Sequence, residues 1–198
     1  EPNRVVRDVA LGVLRSSGAE SLAASLADAI RDDAETRQFA IDLLLERPSP
    51  EGGRALIEFL NSAPKDIDQT MLMRAMDALL LIRPPGYMTA FNRYKDDPNP
   101  QIRMRTLITL AIGKNEAEIF SLVKQAMSDP DDDVFKQALQ LMQAYTTGVP
   151  PEGLSGYFED SLATADATRA MVIMALLKDR LRAAEVKQAL KVLDPYLA

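Results

Sequence analysis

Six times along the chain the same four-point apolar pattern returns. An apolar residue or Thr is followed four positions on by a small residue, usually Ala. An apolar residue comes next to it, and a large apolar residue three positions further. The sets are Val6, Ala10, Leu11, Leu14; Thr36, Ala40, Ile41, Leu44; Met71, Ala75, Met76, Leu79; Ile102, Thr106, Leu107, Leu110; Val134, Ala138, Leu139, Met142; and Thr168, Val172, Ile173, Leu176. Offsets of four, five and eight put one stripe on one face of a helix. The sets recur every 30 to 35 residues, with a mean of about 32, a period that means stacked supersecondary units. A single helix pair cannot bury such a stripe alone, so the pattern predicts six pairs stacked in one array.

Prolines divide the chain at regular places: Pro48 and Pro50, Pro64, Pro84 and Pro85, Pro98 and Pro100, Pro130, Pro150 and Pro151. Between them the patterns predict twelve helices, at about 4–16, 19–31, 34–46, 50–62, 67–82, 86–95, 101–113, 116–128, 132–146, 152–163, 166–178 and 183–193. Alternating runs of Val, Ile and Thr are absent, and Ala, Leu and Met dominate, so the expected class is all-α. The expected domain is single, covering 1–198, with repeats at about 1–31, 32–64, 65–98, 99–130, 131–164 and 165–198. Apolar residues make up 47% of the 198, enough for a packed core.

The turns repeat as well. Residues 94–107 read YKDDPNPQIRMRTL, and 127–139 read MSDPDDDVFKQAL. Pro ends one helix, and Asp opens the next by accepting hydrogen bonds from free N–H groups at the positive end of the helix dipole. An Asp-Pro turn, then Val/Ile-Arg, a small residue and Leu resembles the HEAT repeat in its short bacterial form. Asp97-Pro98 with Ile102-Arg103 is the nearest match, and Asp129-Pro130 with Val134 follows, although Phe135 stands in the Arg place. Asp32 or Asp33 with Arg37, and Asp166 with Arg169, match in part, while Met71-Leu72 lacks the Asp-Pro turn. The resemblance implies a right-handed α-solenoid of the armadillo-like kind. It also implies that turn Asp and helix Arg pair along the stack, which makes Arg7, Arg37, Arg103 and Arg169 structural.

Composition removes several functions. There is no His and no Cys, so no Ser-His or Cys-His nucleophile pair forms, nor any His/Cys zinc site. The net charge of −6 argues against nucleic acid as partner. No apolar run approaches the roughly 18 residues of a membrane span. Asp129, Asp131 and Asp133 mimic the opening of a calcium loop, but Val134 and Gln140 stand where Gly and Glu are needed, so they read as helix-capping groups. Gly148 to Gly153 has the glycine spacing of a phosphate loop, but Leu154 replaces its Lys and the match fails. No cofactor is expected. The first residue is Glu1, which predicts processing or a longer parent chain. The compartment stays open, whether cytoplasmic or exported after processing.

Charge is uneven: residues 74–114 carry a net +4 and residues 115–166 a net −8. The basic stretch suggests a band of Arg93, Lys95, Arg103, Arg105 and Lys114 facing an acidic protein partner. Tyr87, Phe91 and Tyr94 lie at helical spacing nearby. Counted from the prolines, Phe91 aligns with Ile57 and Val123, and Tyr94 with Leu60 and Ala126, which are core positions. Tyr94 is nevertheless kept as a candidate contact, with Arg93, Lys95, Arg105 and Lys114. The resemblance implies a non-catalytic protein-binding scaffold or adaptor. A subunit of an enzyme, a chromophore-lyase-like chaperone and a structural spacer in a larger protein remain open alternatives.

Overall fold

The computed structural model describes residues 12, 19–64, 66–145, 161–163 and 165–178, and among them every regular element is helical. The helices are α1 (Ala19–Arg31), α2 (Ala34–Glu46), α3 (Pro50–Ser62), α4 (Gln69–Ile82), α5 (Tyr87–Phe91), α6 (Pro100–Ala111), α7 (Glu116–Met127), α8 (Asp132–Tyr145) and α9 (Ala167–Lys178). A 3-10 turn, Asn92–Tyr94, follows α5. The helix expected at 183–193 lies outside the described residues, and so does the one at 4–16 except for Gly12, which is helical. So does most of the one at 152–163, of which 161–163 is helical. Arg7 and the Gly148–Gly153 stretch lie outside them too.

Local chemistry sets the helix starts. Asp33 accepts the Thr36 N–H at 2.9 Å, Ser49 the Gly52 N–H at 3.1 Å and Asp68 the Met71 N–H at 2.8 Å. Asn99 caps α6, and Asn115 forms a full capping box with Glu118 on α7. Each such cap contributes about 1 kcal/mol. Pro50 and Pro100 open α3 and α6, where no N–H is needed. The predicted helix at 86–95 is shorter as an α-helix: five residues, then the 3-10 turn. The chain must become extended before Pro98, and tightened i→i+3 bonds finish the helix early.

The chain divides into two compact units, Glu1–Arg93 and Tyr94–Ala198. In the first unit, α1 packs on α2 and α3, α2 on α4, and α3 on α4 and α5. Neighbours along the chain pair and alternate helices stack, which gives two helix layers. Between them lie Leu26, Ile30, Ile41, Leu44, Leu56, Leu60, Leu72, Met76, Leu79 and Phe91, all fully buried. The start of α3 comes close to its neighbours. A Cβ on Gly52 would stand 2.3 Å from Leu44 Cδ2, and one on Gly53 2.7 Å from Ile82 Cγ2.

In the second unit, α6 packs on both α7 and α8, and α7 packs on α8. Its core joins Leu107, Ile119, Phe120, Val123, Val134, Phe135, Leu139 and Met142 with Leu162 and Ile173. Leu107, Val134, Leu139, Met142 and Ile173 belong to the apolar stripes found in the sequence, whereas Val172 of the sixth stripe is 41% exposed. Gly113 turns the chain between α6 and α7 at φ +70°, a left-handed conformation that favours glycine.

Candidate functional site

An arginine follows the first residue of three of the described patterns, and each folds back onto a turn. Arg37 donates from Nε to the Ile30 carbonyl at 2.7 Å and from Nη2 to the Asp32 carbonyl at 2.6 Å. Its guanidinium lies 4.9 Å over the Phe59 ring. It therefore closes the end of α1, whose last carbonyls lack partners within the helix.

Arg103 and Arg169 meet at one residue, Asp129. Arg103 grips the Asp129 carboxylate with two bonds, Nε to Oδ2 and Nη2 to Oδ1, both 2.7 Å. Its Nη1 donates to the carbonyls of Asp97 at 2.7 Å and Pro98 at 3.2 Å. Arg169 donates to the Asp129 carbonyl at 2.5 Å, the Pro130 carbonyl at 3.1 Å and the Asp132 carboxylate at 2.7 Å. The Arg169 guanidinium lies 4.8 Å over the Phe135 ring. The turns at 97–98 and 129–132 and the start of α9 are thereby tied by charged groups.

The Arg103–Asp129 pair is nearly closed to water, with side chains 13% and 10% exposed. Burial pushes the Asp129 carboxyl up. The Arg103 bonds, the Asp131 amide and the charges of Arg103 and Arg169 outweigh it, so the group sits below the usual carboxylate range. The Asp129 hydrogen bond raises Arg103, against its burial. Asp132 is held low by the Arg169 bond and charge. Asp131 accepts the Val134 N–H at 3.2 Å and so caps α8. Among the described residues no group of three His, Cys, Asp or Glu side chains could hold a metal ion.

Beside this pair lies a cleft of about 400 Å³. The turn at 95–98, one face of α6, the end of α7 and the turn at 128–130 line it. Its inner walls are Leu107, Leu110 and Val134, all buried, with the half-buried Leu122 nearer the surface. Lys95, Asp96, Asp97 and Gln125 stand at the rim. Gln125 Nε2 donates to Asp96 Oδ1 at 3.0 Å and braces the rim. Thr106 also lines the cleft, but its hydroxyl is buried with no hydrogen-bond partner.

The residues expected to form a basic surface fall in different places. Tyr94 is 5% exposed and is no surface anchor; it occupies the core position that its alignment with Leu60 indicates. Arg93 is exposed, but its guanidinium is engaged by the carbonyls of Leu60, Asn61 and Ala63, the last at 2.6 Å. It closes the end of α3, the role Arg37 has on α1. Lys114 pairs with Glu118 at 3.1 Å, one turn away on the surface of α7. Arg105 is half-buried on α6. Of the candidate contacts Arg93, Tyr94, Lys95, Arg105 and Lys114, Lys95 lines the cleft, as does Arg103 of the basic band. Leu122, Gln125 and Asp96, which matter there, are marked by no pattern in the sequence.

No protein-family model matches the chain, and neither a curated protein nor a solved structure does.

Proposed function

We propose that the chain is a non-catalytic protein-interaction scaffold. In this reading its helix pairs are HEAT-like repeats wound as a right-handed α-solenoid, and a protein partner docks in the second unit's cleft. The observation that carries it is the cleft itself: apolar walls held open beside an ion pair whose polar groups bond each other and the backbone. The two stacked layers of the first unit and the Arg103–Asp129–Arg169 chain of bonds support the repeat reading. The Arg103–Asp129 pair is of the turn Asp and helix Arg kind that the resemblance implies. A carboxylate held low and gripped by two bonds suits a rigid support better than a proton-transfer group working near neutral pH. Rigid walls reduce the ordering cost of binding. The volume also falls within the range of small-molecule pockets, which favours a ligand-handling, lyase-like chaperone as the second reading.

The test is a photo-cross-linking amino acid placed at Leu122 in the full chain and used in native extract. A control places it at Arg54, exposed on α3 of the first unit. The scaffold reading expects a protein cross-linked from 122 and not from 54, which binds the purified chain directly and fails to bind Leu122→Glu. Equal cross-linking from both positions, or none from 122, would count against it.

A further inference from the structure

The charges at the mouth of the cleft do not balance. Arg103 and Asp129 close on each other at 2.7 Å in two bonds, and their charges cancel where they lie. What remains at the rim is Lys95 against Asp96 and Asp97. Asp96 accepts a neutral amide from Gln125 at 3.0 Å, and Asp97 accepts the Asn99 N–H at 2.9 Å. Neither bond removes a charge. Asp96 is exposed and Asp97 half-exposed, so both can still meet a cation. The long stem of Lys95 lets its ammonium swing away into water. Other cations of the expected basic band face elsewhere: Arg93 holds backbone carbonyls, and Lys114 holds Glu118. An apolar slot with a net negative rim selects a partner of opposite character.

Taking the cleft as the docking site, we propose that it receives a partner segment in which a large aliphatic side chain stands beside a lysine or arginine. The aliphatic group fills the space between Leu107, Leu110 and Leu122. The cation meets Asp96 and Asp97. This reverses the charge preference suggested by the sequence alone, because Arg93 and Arg103 bond carbonyls at helix ends and turns, and Arg74 pairs with Asp42.

The experiment measures anisotropy of short labelled peptides of equal length against the full chain. One set joins leucines to lysine and arginine, a second joins leucines to glutamates, and a third keeps the basic residues but replaces leucine with serine. The first is expected to bind about tenfold tighter than the second, as two partly exposed ion pairs allow. That preference should fall in high salt. The serine set should bind weakest. Asp96→Asn with Asp97→Asn keeps both rim hydrogen bonds, since each acceptor oxygen remains. It should erase the preference while leaving leucine-dependent binding.

Tighter binding of the acidic set, a preference that survives the double Asn variant, or no peptide binding would overturn the proposal. Self-association of the chain through the cleft, read by sedimentation with Leu122→Glu as control, would overturn it too. The docking reading is judged separately. A partner cross-linked from residue 122 through an acidic segment would leave that reading standing and this proposal refuted.

Discussion

Breaking the Arg103–Asp129 pair should cost more than breaking any surface ion pair among the described residues. Arg103→Met leaves the Asp129 carboxylate 10% exposed and facing no guanidinium from that side. The Asp131 amide at 2.9 Å and the Arg169 charge still help it. The loss should therefore lie near the low end for a broken buried pair, about 3 kcal/mol. Asp129→Asn keeps an oxygen for the Asp131 amide, and Arg103 keeps the carbonyls of Asp97 and Pro98. That loss should be about 2 kcal/mol, typical of a hydrogen bond to a charged group. With both changes no charge is stranded, so the double variant should lose about 3 kcal/mol rather than the sum, a coupling of about 2 kcal/mol. Urea unfolding followed by helical circular dichroism reads this as a shift in midpoint at unchanged slope.

The same pair sets an acid limit. The folded Asp129 carboxyl lies below its ordinary value, so its contribution is complete above the unfolded value of about 3.9 and is lost as pH falls through the folded one. The gap between the native chain and Asp129→Asn should be flat from neutral pH down to about pH 5 and shrink below pH 4. Additive single variants, or a gap that persists into strong acid, would refute the reasoning.

Two further substitutions probe the packing. Gly53→Ala should gain about 1 kcal/mol in helix propensity and lose more to overpacking, about 2 kcal/mol, because the new Cβ would lie 2.7 Å from Ile82 Cγ2 and 2.9 Å from the Pro84 ring. Thermal unfolding should show a net loss, and a stabilised variant would mean that α3 and α4 separate freely. Thr106→Val should raise stability by about 1 kcal/mol, since it replaces a buried hydroxyl that has no partner with a methyl of similar shape. A loss of similar size would show that the hydroxyl is satisfied.

The parts of the fold legible in the sequence are those set by neighbours in the chain. The patterns place α1, α2 and α3 on the residues they occupy, because Asp33 and Ser49 cap locally and Pro48 and Pro64 follow α2 and α3. The capping role of Asp131 ahead of α8 was legible for the same reason. Tyr94 was legible in part: its alignment with Leu60 points inward, and only the surrounding charges argued for the surface. Arg93 was not legible, because the carbonyls it closes lie thirty or more residues earlier. The cleft was hidden for a similar reason. It forms where turns 95–98 and 128–130 approach through the reach of Arg103, and no single stretch of sequence records that distance.

Amide hydrogen exchange on the full chain, with and without the protein cross-linked from residue 122, would weigh the scaffold reading. The proposal predicts new protection at the turns 95–98 and 128–130 and along the lining faces of α6 and α7, with little change in α1 to α4. Protection confined to the first unit, or none anywhere at saturating partner, would contradict it.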